Sequence, residues 1–123
     1  MIGRNKYHNR KYSADGEVFD SKKEYQRWQE LKLLEKAGEI TDLRRQVPFE
    51  IIPEQREPDT IGPRGGVRKG RIIERKAVYI ADFVYKDADG LEVVEDCKGM
   101  RTKDYILKRK LILFRFGIRI FES

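Results

Sequence analysis

The stretch "AVYIADFVYKDADGLEVVEDCKG", residues 77–99, decides the fold. It reads as two strands, near 76–86 and 91–98, joined by a turn from Asp87 to Gly90, where the glycine can take a left-handed conformation. Two acids interrupt its apolar alternation. Asp82 lies inside Val78-x-Ile80-x-Asp82-x-Val84, and Asp96 follows Val94 with Lys98 two residues on. With a three-residue loop (88–90), residue 84 faces 94 and Asp82 faces Asp96. Directly opposed residues have Cβ atoms only about 5 Å apart, and like charges there destabilise a sheet. A four-residue loop (87–90) sets Asp82 against Glu95 instead and exchanges the two faces. The Asp96-x-Lys98 spacing and the apolar Val94 favour the first register, with Glu95 held in reserve.

Two close carboxylates need a compensating charge, or one must take up a proton. Lys98 shares the face of Asp96 at about 6.6 Å along the strand and supplies a structural ion pair in one reading. A divalent cation is the better compensator, because Mg²⁺ is bound by one or two carboxylates with waters and phosphate oxygens.

Upstream, "DSKKEYQRWQELKLLEKAG" predicts a first helix, with Ser21 as N-cap and Gly38 as the stop. At helical spacing Tyr25, Trp28, Leu31 and Leu34 form one apolar arc, and Glu24 falls inside it. Ser21-x-x-Glu24 is also a capping box, so Glu24 has a purely structural reading as well. "EITDLRRQVPFEIIP" predicts a strand in which Pro48 signals an edge or a bulge. Thr102 caps a second helix over about 103–115, and "IRIF" closes as a short strand. The order is helix, strand, hairpin, helix, strand: one α/β domain over 13–123 with a central mixed sheet flanked by helices.

The chain has 123 residues, 39% of them hydrophobic, which is one core's worth. Its net charge of +6 makes polyanions the first partners to consider. Residues 1–12 form a basic arm carrying Arg4, Lys6, Arg10 and Lys11 without an acid. Residues 53–71 hold three of the four prolines and, from Ile61, only positive charges: Arg64, Arg68, Lys69 and Arg71. This long exposed loop or flexible hairpin suits a nucleic-acid backbone. The single cysteine, Cys97, excludes an internal disulfide and reads as a small core residue. With no signal-peptide pattern and no apolar run of membrane-spanning length, a cytoplasmic protein is expected.

Asp82 with Asp96-Cys97-Lys98 fourteen positions later resembles the PD-(D/E)XK nuclease superfamily, although Ala81 stands where a proline is common and Asp96 where Glu is usual. The motifs "FDSKKEY", "YIADF" and "VVEDCKG" and the Thr102, Tyr105, Lys108 helix are similar to small phage and prophage proteins linked to Holliday-junction-resolvase-type endonucleases. The resemblance implies a restriction-endonuclease-like αβββαβ core over about 18–122. It implies Mg²⁺ or Mn²⁺ held by Asp82 and Asp96, with Glu24 as a further ligand and Glu95 as the reserve. Lys98 would orient the attacking water and stabilise developing charge, and Gln46 could touch that water or the metal's hydration shell.

Beyond Lys98 the chain turns basic, and Arg101, Lys103, Tyr105, Lys108 and Arg109 are expected against DNA beside the 64–71 cations. Cleavage of branched DNA requires paired sites, so the resemblance also implies a homodimer. No helix-turn-helix or zinc-finger pattern suggests base reading, which leaves DNA shape as the basis of selectivity. The rival reading is a non-catalytic DNA-binding or accessory protein on the same fold. A third possibility is a nuclease subunit of a larger replication or transposition assembly.

Overall fold

The computed structural model describes residues 11–97 and 101–123. A small hairpin, β1 (Tyr12–Ala14) and β2 (Glu17–Phe19), leads into helix α1 (Lys22–Lys36). The long strand β3 (Thr41–Ile52) follows, then four short strands: β4 (Gln55–Arg56), β5 (Thr60–Ile61), β6 (Val67–Arg68) and β7 (Ile72–Glu74). Next come β8 (Ala77–Lys86), β9 (Glu92–Asp96), α2 (Lys103–Phe116) and β10 (Phe121–Glu122). The main sheet runs β10-β9-β8-β3; its first three strands in chain order are antiparallel, and β10 lies parallel to β9 after the α2 crossover. The chain is thus a single α/β domain with a mixed sheet and two helices. Pro48 sits on β3, an outer strand, where its missing N–H costs no ladder bond to a further strand.

Turn chemistry selects the register. The Asp87 carboxylate accepts from the N–H of Asp89 (2.9 Å) and of Leu91 (3.0 Å), and Gly90 takes φ +80°. This closes the three-residue connection, so Val84 faces Val94, Phe83 faces Glu95, and Asp82 falls opposite Asp96 one step further.

The helices cover opposite faces of the sheet. Leu31 of α1, flanked by Trp28 and Leu34, packs on Phe83, Tyr85 and Cys97, while Tyr105 and Ile112 of α2 pack on Tyr79, Ala81, Val84 and Val94. Ser21 caps α1 by accepting the Glu24 N–H at 3.1 Å, and Thr102 caps α2 through the Tyr105 N–H at 3.1 Å. Gly117, at φ +68°, ends α2.

The side-chain alternation of β8 breaks at Asp82. Tyr79 and Ala81 lie under α2, but Phe83 and Tyr85, in step with them by sequence parity, lie under α1. On the neighbouring strand the break coincides with Gln46, a non-glycine residue at φ +52°. Sites of this kind re-aim side chains, and the one here lies between two acids.

One stretch differs from the expectation, and a second takes one of its two expected forms. Strand β1 begins at Tyr12, one residue inside the stretch assigned to a basic arm, whose residues 1–10 lie outside the described residues. Its Asp15-Gly16 turn is a hairpin signal, but three-residue strands are too short to show periodicity. Over 55–74, β4 pairs with β7 and β5 with β6, so the basic stretch takes the hairpin form of its two expected alternatives. No helix among the described residues is long and apolar enough to cross a membrane.

Candidate active site

Glu24 lies in the first turn of α1, where the apolar arc carries it inward until it is 1% exposed. The capping box forms only in half. Ser21 Oγ takes the Glu24 N–H, but the Glu24 carboxylate turns away from the cap: Oε2 accepts from the Asp20 N–H (3.2 Å), and Oε1 faces Gln46 Nε2 (3.2 Å) and Arg45 Nη2 (3.4 Å). Burial, and then the charge of Asp20, raise the Glu24 pKa.

Asp82 approaches from the central strand. Its Oδ2 accepts the Cys97 N–H (2.9 Å), and its Oδ1 faces the same Gln46 Nε2 at 3.4 Å. Burial, followed by the charge and hydrogen bond of Asp96, pushes its pKa up to about 8. Asp96, fully buried, accepts the Tyr79 hydroxyl on Oδ2 at 2.5 Å. Desolvation, then this bond, hold the Tyr79 hydroxyl far above the ordinary tyrosine range.

Carboxylate oxygens of Asp20, Glu24 and Asp82 lie within 4.8 Å of one another, the grouping best able to hold a cation among the described residues. Glu24 and Asp82 match the expected ligand set. Asp20, which sequence reasoning passed over, completes the group, and Asp96 stands behind Asp82, turned toward Tyr79. Gln46, itself exposed, meets both inner acids through one amide nitrogen.

Glu95, the reserve ligand, belongs elsewhere. Its carboxylate takes Arg27 Nε at 2.6 Å and Nη2 at 3.1 Å, and the Tyr85 hydroxyl at 2.6 Å. Desolvation, then that bond, lift Tyr85 to about 12. Phe83, which Glu95 faces across the ladder, lies on the α1 side, so Glu95 meets α1 while Asp96 meets Tyr79 under α2. Lys98 lies outside the described residues.

Arg45 was also missed. Its guanidinium stacks on the Phe19 ring, 4.0 Å from the centroid, and holds the Val18 carbonyl (3.1 Å) and Glu17 (3.5 Å) as well as Glu24. No local pattern marks it; the hairpin β1–β2, folded against α1, brings Phe19 beneath it. Asp20 is illegible for the same reason, since its direction depends on how that hairpin enters the helix.

The expected DNA contacts divide into two groups. Tyr105 is a core residue, 5% exposed, with its hydroxyl on Glu122 at 2.8 Å, because its position on α2 faces the sheet. Arg101 and Arg109 also pair with Glu122, at 3.1 and 3.2 Å, and Lys108 pairs with Asp104 at 3.5 Å. Lys103, Arg64, Arg68, Lys69 and Arg71 are exposed.

A family model described as a protein of unknown function, DUF1064, matches residues 4–119. The chain belongs to the DUF1064 family. No curated protein and no solved structure matches it significantly.

The donor set suits a hard cation. All three converging groups are carboxylates, and opposite oxygens around an octahedral Mg²⁺ stand about 4.2 Å apart, twice its usual ligand distance. Three oxygens in such a shell include at most one opposite pair, and neighbouring ones stand about 3 Å apart, so oxygens lying within 4.8 Å of one another reach it by drawing together around the ion.

Proposed function

We propose that this chain is a divalent-metal-dependent DNA endonuclease of the PD-(D/E)XK type, hydrolysing phosphodiester bonds in branched or recombination-intermediate DNA. The observation that carries the reading is the convergence of Glu24 from the first turn of a helix and Asp82 from the central strand. Asp96, buried on the paired strand opposite Asp82, adds a third acid, in a chain of net charge +6. The order helix, three antiparallel strands, helix, parallel strand supports it.

In this reading Asp82 and Glu24 hold Mg²⁺ or Mn²⁺, with Asp20 and Asp96 completing or backing the set. The bound ion supplies Lewis acidity at a phosphoryl oxygen and an acidified water. Gln46 orients Glu24 and Asp82 through its single amide nitrogen, and the Cys97 N–H fixes the second oxygen of Asp82. Arg45 limits the negative charge of the cluster. Lys98, two residues beyond Asp96, orients the attacking water and stabilises the charge that develops on phosphorus. Branched substrates call for two such sites, hence a homodimer.

One observation favours the non-catalytic reading. Tyr79 donates to Asp96, and the Cys97 N–H and Gln46 hold Asp82, so each acid has protein partners that need no metal. Cleavage of a labelled four-way junction, flap and linear duplex, each with Mg²⁺, Mn²⁺ or EDTA, separates the two. Metal-dependent cutting lost in Asp96→Ala is the expected result. Binding of all three substrates without cutting by the wild type gives the site to the accessory reading.

A further inference from the structure

Between β3 and β8 the chain leaves the sheet edge as a two-stranded ribbon. Gln55 faces Glu74 and Arg56 faces Ile72; further out, Thr60 faces Arg68 and Ile61 faces Val67. Its shape is specified. The Glu57 N–H donates to the Arg71 carbonyl (2.8 Å), and Asp59 accepts the Gly70 N–H (3.0 Å). A Cβ on Gly70 would lie 1.8 Å from the Glu57 carbonyl oxygen, so only glycine lets the strands approach this closely. At the tip the Gly62 N–H reaches the Gly66 carbonyl (2.7 Å), around Gly65 at φ +83°.

Among the described residues the ribbon is left in solvent. Every residue from Ile52 to Lys76 is exposed except Gly62 and Gly70, which are half-buried, and Ile61 and Val67 are 71% and 67% exposed. Two strands with both faces in water are marginal by themselves.

Charge identifies the partner. Residues 60–73 carry Arg64, Arg68, Lys69 and Arg71 and no acid. None of the four makes an ion pair among the described residues, whereas Arg101, Lys108 and Arg109 around α2 are each paired. Four uncompensated cations on so small an element repel one another until a polyanion is present. A two-stranded ribbon is also one of the shapes that the major groove, about 12 Å wide, admits.

We infer that the ribbon enters the major groove of duplex DNA, with Arg64, Arg68, Lys69 and Arg71 on the flanking phosphates, and provides most of the chain's DNA affinity. The inference rests on the nuclease reading only in taking DNA as the polyanion. Ile61 lies nine positions beyond Ile52, which faces Ala77, and Asp82 lies five positions beyond Ala77, so the reach from the acid cluster is at most about 50 Å, within about one and a half helical turns of duplex.

The test is binding of a 30-base-pair duplex in EDTA, read by fluorescence anisotropy over a salt series, for the wild type and the combined variant Arg64→Ala, Arg68→Ala, Lys69→Ala, Arg71→Ala. All four positions are exposed, so the variant keeps the wild-type melting temperature and any Mg²⁺- or Mn²⁺-induced shift in it. Its affinity falls at least tenfold, and the log–log salt slope shrinks by about 3. In the wild-type complex, guanine N7 atoms in the major groove are protected from dimethyl sulfate. Unchanged affinity and slope overturn the inference, and so does a complex with N7 atoms left reactive. Loss of a dimer in Ile61→Ser, Val67→Ser with DNA binding intact also overturns it, making the ribbon a protein interface. The two readings fail separately. Ribbon-dependent binding by a wild type that neither cuts nor responds to Mg²⁺ upholds the ribbon and removes the nuclease, while metal-dependent cutting with unaltered affinity in the ribbon variant does the reverse.

Discussion

Asp82 and Asp96 fall opposite one another where β8 and β9 pair, and after burial the charge of Asp96 is the main cause that raises the Asp82 pKa to about 8. The Cys97 N–H and the Tyr79 hydroxyl stabilise the outer oxygens of the pair, so the geometry persists whether a proton or a cation supplies the missing positive charge.

That arrangement sets a pH dependence. The folded pKa of Asp82, about 8, lies above its unfolded value of about 4. Its contribution to stability is therefore complete below the unfolded value and is lost as pH rises through the folded one. The raised pKa of Glu24 acts in the same direction. In EDTA the melting temperature falls between pH 5 and pH 8.5, and Mg²⁺ or Mn²⁺ restores more of it at pH 8 than at pH 5.5. Asp82→Asn flattens the profile. A wild type equally stable across this range with and without metal contradicts the site.

Glu24 and Ser21 separate the cap from the chemistry. Ser21→Ala removes the acceptor for the Glu24 N–H and lowers stability by about 1 kcal/mol, with cleavage retained. Glu24→Gln keeps the helix cap, since the cap uses the Glu24 backbone, and costs at least about 100-fold in cleavage rate, in line with loss of one site group. Urea unfolding and single-turnover cleavage read the two effects. Full activity of Glu24→Gln would return this residue to a structural role.

Glu95 and Asp96 are adjacent and should behave oppositely. Glu95→Gln leaves Arg27 with Glu30 as its ion partner and turns a charged hydrogen-bond pair into a neutral one, costing about 2 kcal/mol. The metal-induced shift in melting temperature survives it. Asp96→Asn leaves the Tyr79 contact in place and removes cleavage. If Glu95→Gln abolishes the metal response in a folded protein, the two acids have been assigned the wrong way round.

Gln46 combines strain with contact. Glycine at φ +52° relieves about 1 kcal/mol of backbone cost, so Gln46→Gly matches or exceeds wild-type stability while losing both bonds to Glu24 and Asp82. Its apparent Mg²⁺ affinity, read from the melting-temperature shift, drops. Gln46→Ala keeps the strain and loses the bonds, so it falls below both. Equal metal responses in all three proteins would show that the amide does not position the acids.

Much of the fold was legible because it is written locally. Ser21 and Thr102 at helix starts, Gly117 after a helix, Pro48 on an outer strand and Asp87 to Gly90 between two alternating runs each act over a few residues. Their side-chain and backbone bonds do not wait for the rest of the molecule. The pairing of Asp82 with Asp96 follows from the same local turn, and the inward position of Glu24 from helical periodicity. The Asp15-Gly16 hairpin was readable by the same rule, but its strands are too short to announce themselves.

What the sequence alone determined, then, is the order of elements, the register of the central hairpin, and the meeting of Glu24, Asp82 and Asp96 near one end of the sheet. Tertiary structure decided which neighbours those acids have. Asp20 enters beside Glu24, Arg45 and Gln46 arrive from a strand more than twenty residues on, and Glu95 is drawn off by Arg27, 68 residues away in the chain. These choices depend on the point where β8 loses its alternation and Gln46 turns to positive φ. A side chain there is aimed by the packing of both sheet faces at once, which no short window of residues contains.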